Sequence, residues 1–180
     1  MPPSWFGPNS DILLSYGTAY FTPVLLPANS SVTKLGIWQG GPADNAGQKI
    51  RLCLYGSNGN GMPGTLLKDG GKTAMAMATG FDVVNFASVT TGGNAIFWID
   101  AQLKQPSLAQ FEVEEFPQEG SISGNSALAE LTIGTTNGST YSSPTPYGPC
   151  PAVAPGLLTI VSDPRGFNGN TLTLAVGIGH

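Results

Sequence analysis

Arg51-Leu52-Cys53-Leu54-Tyr55-Gly56-Ser57-Asn58-Gly59-Asn60-Gly61-Met62-Pro63-Gly64-Thr65-Leu66-Leu67 is the stretch that decides the fold class. Ile50, Leu52 and Leu54 fall on one face of an extended chain and Arg51, Cys53 and Tyr55 on the other, the period-two pattern of a half-buried strand. The Gly/Asn/Pro run that follows supplies residues suited to positive-φ positions, and a second apolar run comes after it. Ser57, Asn58 and Asn60 bring no negative charge, whereas a calcium loop draws on carboxylates, so this loop is read as a structural turn.

Outward from that hairpin the same pattern recurs. Candidate strands are Ile12–Tyr16, Ala19–Pro23, Val32–Gln39, Lys49–Tyr55, Thr65–Lys68, Phe81–Val89, Ala95–Ala101, Phe111–Phe116, Ala127–Ile133, Leu157–Val161 and Thr171–Ile178. Turn signals separate them at Pro27-Ala28-Asn29, Gly40-Gly41-Pro42, Asp69-Gly70-Gly71, Thr91-Gly92-Gly93-Asn94, Asn137-Gly138 and Asn168-Gly169. Lys72–Thr79, flanked by glycines, is read as extended rather than helical. Short strands punctuated this way predict an all-β, antiparallel sandwich or barrel. The last strand is the cleanest: Leu172, Leu174, Val176 and Ile178 alternate with Thr171, Thr173, Ala175 and Gly177.

Composition supports one domain with a real core, since a chain of 180 residues buries roughly 70% of its unfolded surface. Residues 1–20 are read as an N-terminal arm and first strand, and 21–180 as the sandwich. Charged residues are 10% of the chain, well below the ~25% of typical domains, so the surface is turn-rich and uncharged. The seven basic residues, Lys34, Lys49, Arg51, Lys68, Lys72, Lys104 and Arg165, do not cluster. The basic patch that nucleic acid requires is absent. Glu112, Glu114, Glu115 and Glu119 form an acidic run, read as a charged strand edge that resists pairing with other chains.

Catalytic readings lack parts. The one histidine, His180, is the last residue of the sequence, which argues against a histidine triad or a multi-histidine metal centre. Glycoside hydrolysis needs two facing carboxylates, and nothing singles out a pair among Asp82, Asp100, Glu112, Glu114, Glu130 and Asp163. No phosphate or dinucleotide fingerprint is present, so no cofactor is expected. Cys53 and Cys150 show no metal-ligand spacing; they either pair or stay free. The opening Met1–Pro8 has neither the basic nor the apolar region of an export signal, and no apolar run is long enough for a membrane helix. Synthesis in a cytoplasm is expected, with a surface more typical of an extracellular or particle-bound protein.

The order of features resembles jelly-roll modules of phage structural proteins and bacterial surface proteins over roughly Phe21 to Ile178. The matching residues are Phe21 before a Pro-containing turn, Leu35-Gly36-Ile37, Leu52-Cys53-Leu54-Tyr55 leading to Gly61-Met62-Pro63-Gly64-Thr65-Leu66-Leu67, and Phe97-Trp98-Ile99. The resemblance implies a jelly-roll-like β-sandwich and a non-enzymatic virion protein, most simply a capsid decoration or cement protein. Such a protein, made in the host cytoplasm and carried on a particle, would form a closed homo-oligomer such as a trimer and contact the major capsid protein or another virion protein. Trp5 and Phe6 on the arm, and Tyr141 and Tyr147 on the Ser/Thr/Pro/Gly-rich stretch from Gly134 to Pro155, are the expected partner contacts. The alternative is a carbohydrate-binding module or a receptor-binding head or tail fibre domain that takes a cell-surface glycan, with Trp38 and Tyr55 as stacking rings. Trp98, inside the run Ile96–Ile99, is expected in the core.

Overall fold

The computed structural model describes residues 10–41, 43–44, 47–93, 95–107, 109–116, 140–161, 171–174 and 176–179. Among them the chain is all-β, with twelve strands. These are β1 Ser10–Leu13, β2 Thr18–Leu26, β3 Ser31–Gln39, β4 Lys49–Ser57, β5 Pro63–Ala74, β6 Gly80–Thr90, β7 Ala95–Leu103, β8 Gln110–Phe116, β9 Tyr141–Pro144, β10 Thr159–Ile160, β11 Thr171–Leu174 and β12 Val176–Gly179. They form two antiparallel sheets. The first runs β1-β8-β3-β12, with β6 also paired to β3 and β11 to β8; the second runs β10-β9-β2-β7-β4-β5. The expected antiparallel sandwich is the architecture found.

The main core lies between the sheets. Leu35, Ile37, Val84 and Ile178 of the first sheet meet Leu52, Leu54, Ile99 and Leu103 of the second. These residues alternate along their strands with neighbours of the opposite face, which is why period two located them.

A second apolar cluster lies on the other face of the second sheet, where Ala19, Phe21, Cys53, Tyr55 and Trp98 are buried with Cys150 and Ala154. Both faces of the second sheet are therefore covered. The segment around Cys150 and Ala154 provides the outer cover.

Several expectations change. Asp69-Gly70-Gly71 is not a turn but the middle of β5. Arg51 pairs with Lys72 and Cys53 with Asp69, so Gly70 and Gly71 together oppose Leu52 in a β-bulge. Gly71 takes φ +86°, and a Cβ on Gly70 would sit 2.7 Å from the Leu52 carbonyl oxygen. Glycines at a bulge serve close approach as well as reversal, which local reading cannot separate. The extended reading of Lys72–Thr79 holds for Lys72 to Ala74, where β5 ends. Of the stretch Gly134–Pro155, the described part contains a strand, β9, paired to β2. The expected strand Ala127–Ile133, the turns at Asn137 and Asn168, Glu119 and His180 lie outside the described residues.

The opening hairpin is a turn closed by its own side chain. Asn58 Oδ1 accepts hydrogen bonds from the backbone N–H of Asn60 at 2.9 Å and of Met62 at 3.1 Å, and Gly61 sits at φ +77°. An Asx-type closure of this kind is why asparagine favours such loops.

Candidate functional site

The strand register builds the outer face of the second sheet row by row. Directly paired residues point to the same side, so Ile160, Tyr141, Phe21, Asp100, Cys53 and Asp69 form one row across all six strands. A neighbouring row holds Ser143, Ala19, Gln102, Arg51 and Lys72, and another holds Pro23, Trp98, Tyr55 and Leu66. The face is apolar at one end and polar at the other.

The cover is tied down at both ends and in the middle. Thr145 N–H donates to the Gly17 carbonyl at 2.9 Å, Leu66 N–H to the Ala152 carbonyl at 2.9 Å, and Ala154 N–H to the Gly64 carbonyl at 2.8 Å. Tyr55 donates its hydroxyl proton to the Pro151 carbonyl at 2.9 Å. Cys53 and Cys150, which the sequence left open, form a disulfide across a separation of 97 residues.

Charge concentrates at the polar end. Arg51 Nη1 donates to both carboxylate oxygens of Asp69, at 2.6 and 2.5 Å, and its guanidinium lies 5.8 Å from the centre of the Tyr147 ring. Asp69 also accepts from Gly71 N–H at 2.8 Å and Cys150 N–H at 3.3 Å. Asp100 is fully buried; Gln102 Nε2 donates to its Oδ2 at 2.6 Å. Burial pushes the Asp100 carboxyl up to about 7, because a carboxylate loses its hydration there. Burial also pushes the Tyr55 hydroxyl well above its ordinary range, with the charges of Asp100 and Asp69 adding to the effect.

Polar groups remain unsatisfied around this end. Asp100 Oδ1, Gln102 Oε1, Arg51 Nε, Thr145 Oγ1 and the Tyr147 hydroxyl are buried with no hydrogen-bond partner among the described residues. Native interiors leave few such atoms, and their accumulation at one place calls for a reason. Cys53 Sγ, Cys150 Sγ and an Asp100 oxygen all lie within 4.8 Å of one another.

The residues singled out from sequence divide accordingly. Tyr55 is not a stacking surface: it is completely buried, edge to face with Phe21 at 5.6 Å, because the cover closes over its row. Tyr141 and Tyr147 are half-buried and their rings are used within the chain, Tyr141 edge to face with Trp98 at 5.7 Å and Tyr147 over Arg51. Trp98 is buried as expected, but under the cover rather than between the sheets, with its Nε1–H donating to Ser57 Oγ at 3.1 Å. Trp38 lies on the outer face of the first sheet, paired with Phe81, the rings edge to face at 5.0 Å. Trp5 and Phe6 lie outside the described residues.

Sequence reading passed over Arg51, Asp69 and Gln102. Asp100 was noticed only as one acid among several. Its signal was a carboxylate directly following the apolar run Ile96–Ile99, where burial is expected and charge is not. Asp82 and Asp100 do not face each other. Asp82 pairs with Ile37 on the inner side of the first sheet, while Asp100 lies on the outer side of the second.

Fold and site together define a two-sheet antiparallel sandwich with one sheet covered on both faces and its cover fastened by a disulfide. No protein-family model, curated protein or solved structure matches the chain. No helix among the described residues is long and apolar enough to cross a membrane.

Proposed function

We propose that this chain is a non-enzymatic structural protein of a bacteriophage virion, a capsid decoration or cement protein of jelly-roll type that stabilises the particle through subunit contacts. The observation that carries the reading is the cover itself. It presents Val153, Leu157 and Ile160 outward at 65%, 74% and 45% exposure on a segment held rigid by a disulfide and backbone hydrogen bonds. An uncharged, apolar, pre-ordered surface is suited to burial against another protein, because little ordering entropy remains to be lost and no charge has to be desolvated. Ile160 also lies on β10, which among the described residues is the terminal strand of its sheet, where backbone groups can pair with a further strand. The disulfide suits a protein that functions in oxidising surroundings. The opposed placement of Asp82 and Asp100 offers no pair for two-carboxylate catalysis.

Light scattering on the purified chain at micromolar concentration tests the reading. A discrete trimer or other closed oligomer is expected, and a monomer at all concentrations counts against it. A second reading, a glycan-binding module or receptor-binding fibre domain, draws on Trp38 and Phe81 sharing an outer sheet face, since sugar rings stack on such aromatics. It predicts retention on a glycan array that Trp38→Ala abolishes.

A further inference from the structure

We propose that opening the Cys53–Cys150 disulfide creates a binding site for one soft divalent metal ion, best fitted by zinc, with Cys53 Sγ, Cys150 Sγ and the Asp100 carboxylate as ligands. The three residues come from β4, the cover and β7, and are 0%, 7% and 0% exposed. Their ligand atoms already lie within 4.8 Å of one another. Around a single zinc ion, with Zn–S about 2.3 Å and Zn–O about 2.1 Å, such atoms sit less than about 4 Å apart. The Cα separation of 6.5 Å is at the wide end of the disulfide range, so side-chain rotation alone lets the sulfurs part around an ion.

A second observation points to a ligand here. Asp69 has the Arg51 guanidinium against it, whereas Asp100 is bonded to the Gln102 amide and feels Arg51 only at longer range, and among the described residues both Asp100 Oδ1 and Gln102 Oε1 are buried without a donor. A cation accepts the lone pairs that these two oxygens leave free. The Gln102 amide lies 3.9 Å from Cys150 Sγ through its nitrogen; turning the amide over gives up its hydrogen bond to Asp100 Oδ2, which the ion then ligates, and brings the amide oxygen round to complete a tetrahedron. Two thiolates select zinc or cobalt over magnesium or calcium.

The chemistry balances with a phosphine as reductant. The phosphine gives two electrons to the disulfide and takes the oxygen of a water molecule, becoming the phosphine oxide. The two sulfurs take the two water protons and become thiols. Metal binding then displaces both thiol protons to solvent. Reoxidation by dioxygen, which takes two electrons and two protons to become hydrogen peroxide as the disulfide forms, would remove two ligands and eject the ion.

The test uses the full chain, reduced with a phosphine under exclusion of air and titrated with Co²⁺, then Zn²⁺. The expected result is one Co²⁺ per chain with an intense sulfur-to-cobalt charge-transfer band, displaced by Zn²⁺ and absent from the disulfide form. Asp100→Asn should weaken Co²⁺ binding at least tenfold. Because that variant could also disturb folding, the thermal midpoint of the reduced wild-type chain is measured with and without Zn²⁺; it should rise for the reduced form alone. Absence of the band, equal affinity of Asp100→Asn and wild type, or no rise in the reduced midpoint would each overturn the proposal.

Discussion

Cys53, central in β4, is bonded to Cys150 of the cover, and the link joins a sheet to a segment 97 residues away in sequence. Closing a loop of that length in the unfolded chain removes much of its entropy. Cys150→Ser with Cys53→Ser should therefore lower stability by about 4.7 kcal/mol, in the chain-entropy account. Denaturant unfolding of the double variant against wild type measures it. Because the inter-sheet core is independent of the bond, the far-ultraviolet β signal should survive.

Asp82 is buried between the sheets, accepting from Ala76 N–H at 2.7 Å through Oδ1 while Oδ2 has no partner among the described residues. Burial pushes its carboxyl up from 3.8 to about 6, against the opposing pull of the Ala76 hydrogen bond. The folded state thus binds the proton more tightly than the unfolded one. This group favours folding most below its unfolded value of 3.8, and that advantage is lost as pH rises through about 6. The sign follows from linkage. Asp82→Asn retains an acceptor for Ala76 and carries no charge. It should stabilise the chain at pH 7 by about 1–3 kcal/mol and flatten the stability profile across this window. Thermal melts from pH 4 to about pH 8 read both effects.

Gly70 occupies the bulge where an added Cβ would fall 2.7 Å from the Leu52 carbonyl oxygen and 2.8 Å from Val84 Cγ2. One contact is backbone and the other a packed core methyl, so neither yields cheaply. Gly70→Ala should cost about 1–3 kcal/mol by overpacking. Gly80→Ala, where an added Cβ meets nothing within 4 Å, is the matched control in chemical unfolding.

The Tyr55 hydroxyl is the polar anchor between β4 and the cover. Tyr55→Phe preserves the ring packed on Phe21 but leaves the Pro151 carbonyl without this donor, for a loss of about 1 kcal/mol. Amide exchange should quicken in the cover more than in β2 or β7, which distinguishes a loosened cover from a generally weakened fold.

Leu157 is the most exposed large apolar residue of the cover. If this surface is buried between subunits, Leu157→Glu should place an unpaired charge in the contact and shift the oligomer to lower mass by light scattering, with an unchanged thermal midpoint for the dissociated chain. An unchanged mass would exclude the cover as the contact.

The alternation of Leu52 and Leu54 against Cys53 and Tyr55, the turn at Asn58 and the apolar run Ile96–Ile99 determine by themselves that the chain is an antiparallel β protein with an inter-sheet core. Strand periodicity and turn chemistry are local properties, carried by residues two to four apart. Which apolar faces lie inside was legible for the same reason. What covers the second face was not, because Cys150, Ala154 and Tyr147 meet Cys53, Gly64 and Arg51 only through contacts distant in sequence. The same holds for Gly70 and Gly71, whose glycine chemistry fits a turn and a bulge equally until β4 is laid beside them. Cys53, Asp100 and Cys150 show no metal-ligand spacing along the chain. Tertiary pairing of β4 with β7, and the docking of the cover on both, alone decides that two sulfurs and a buried carboxylate share one small volume.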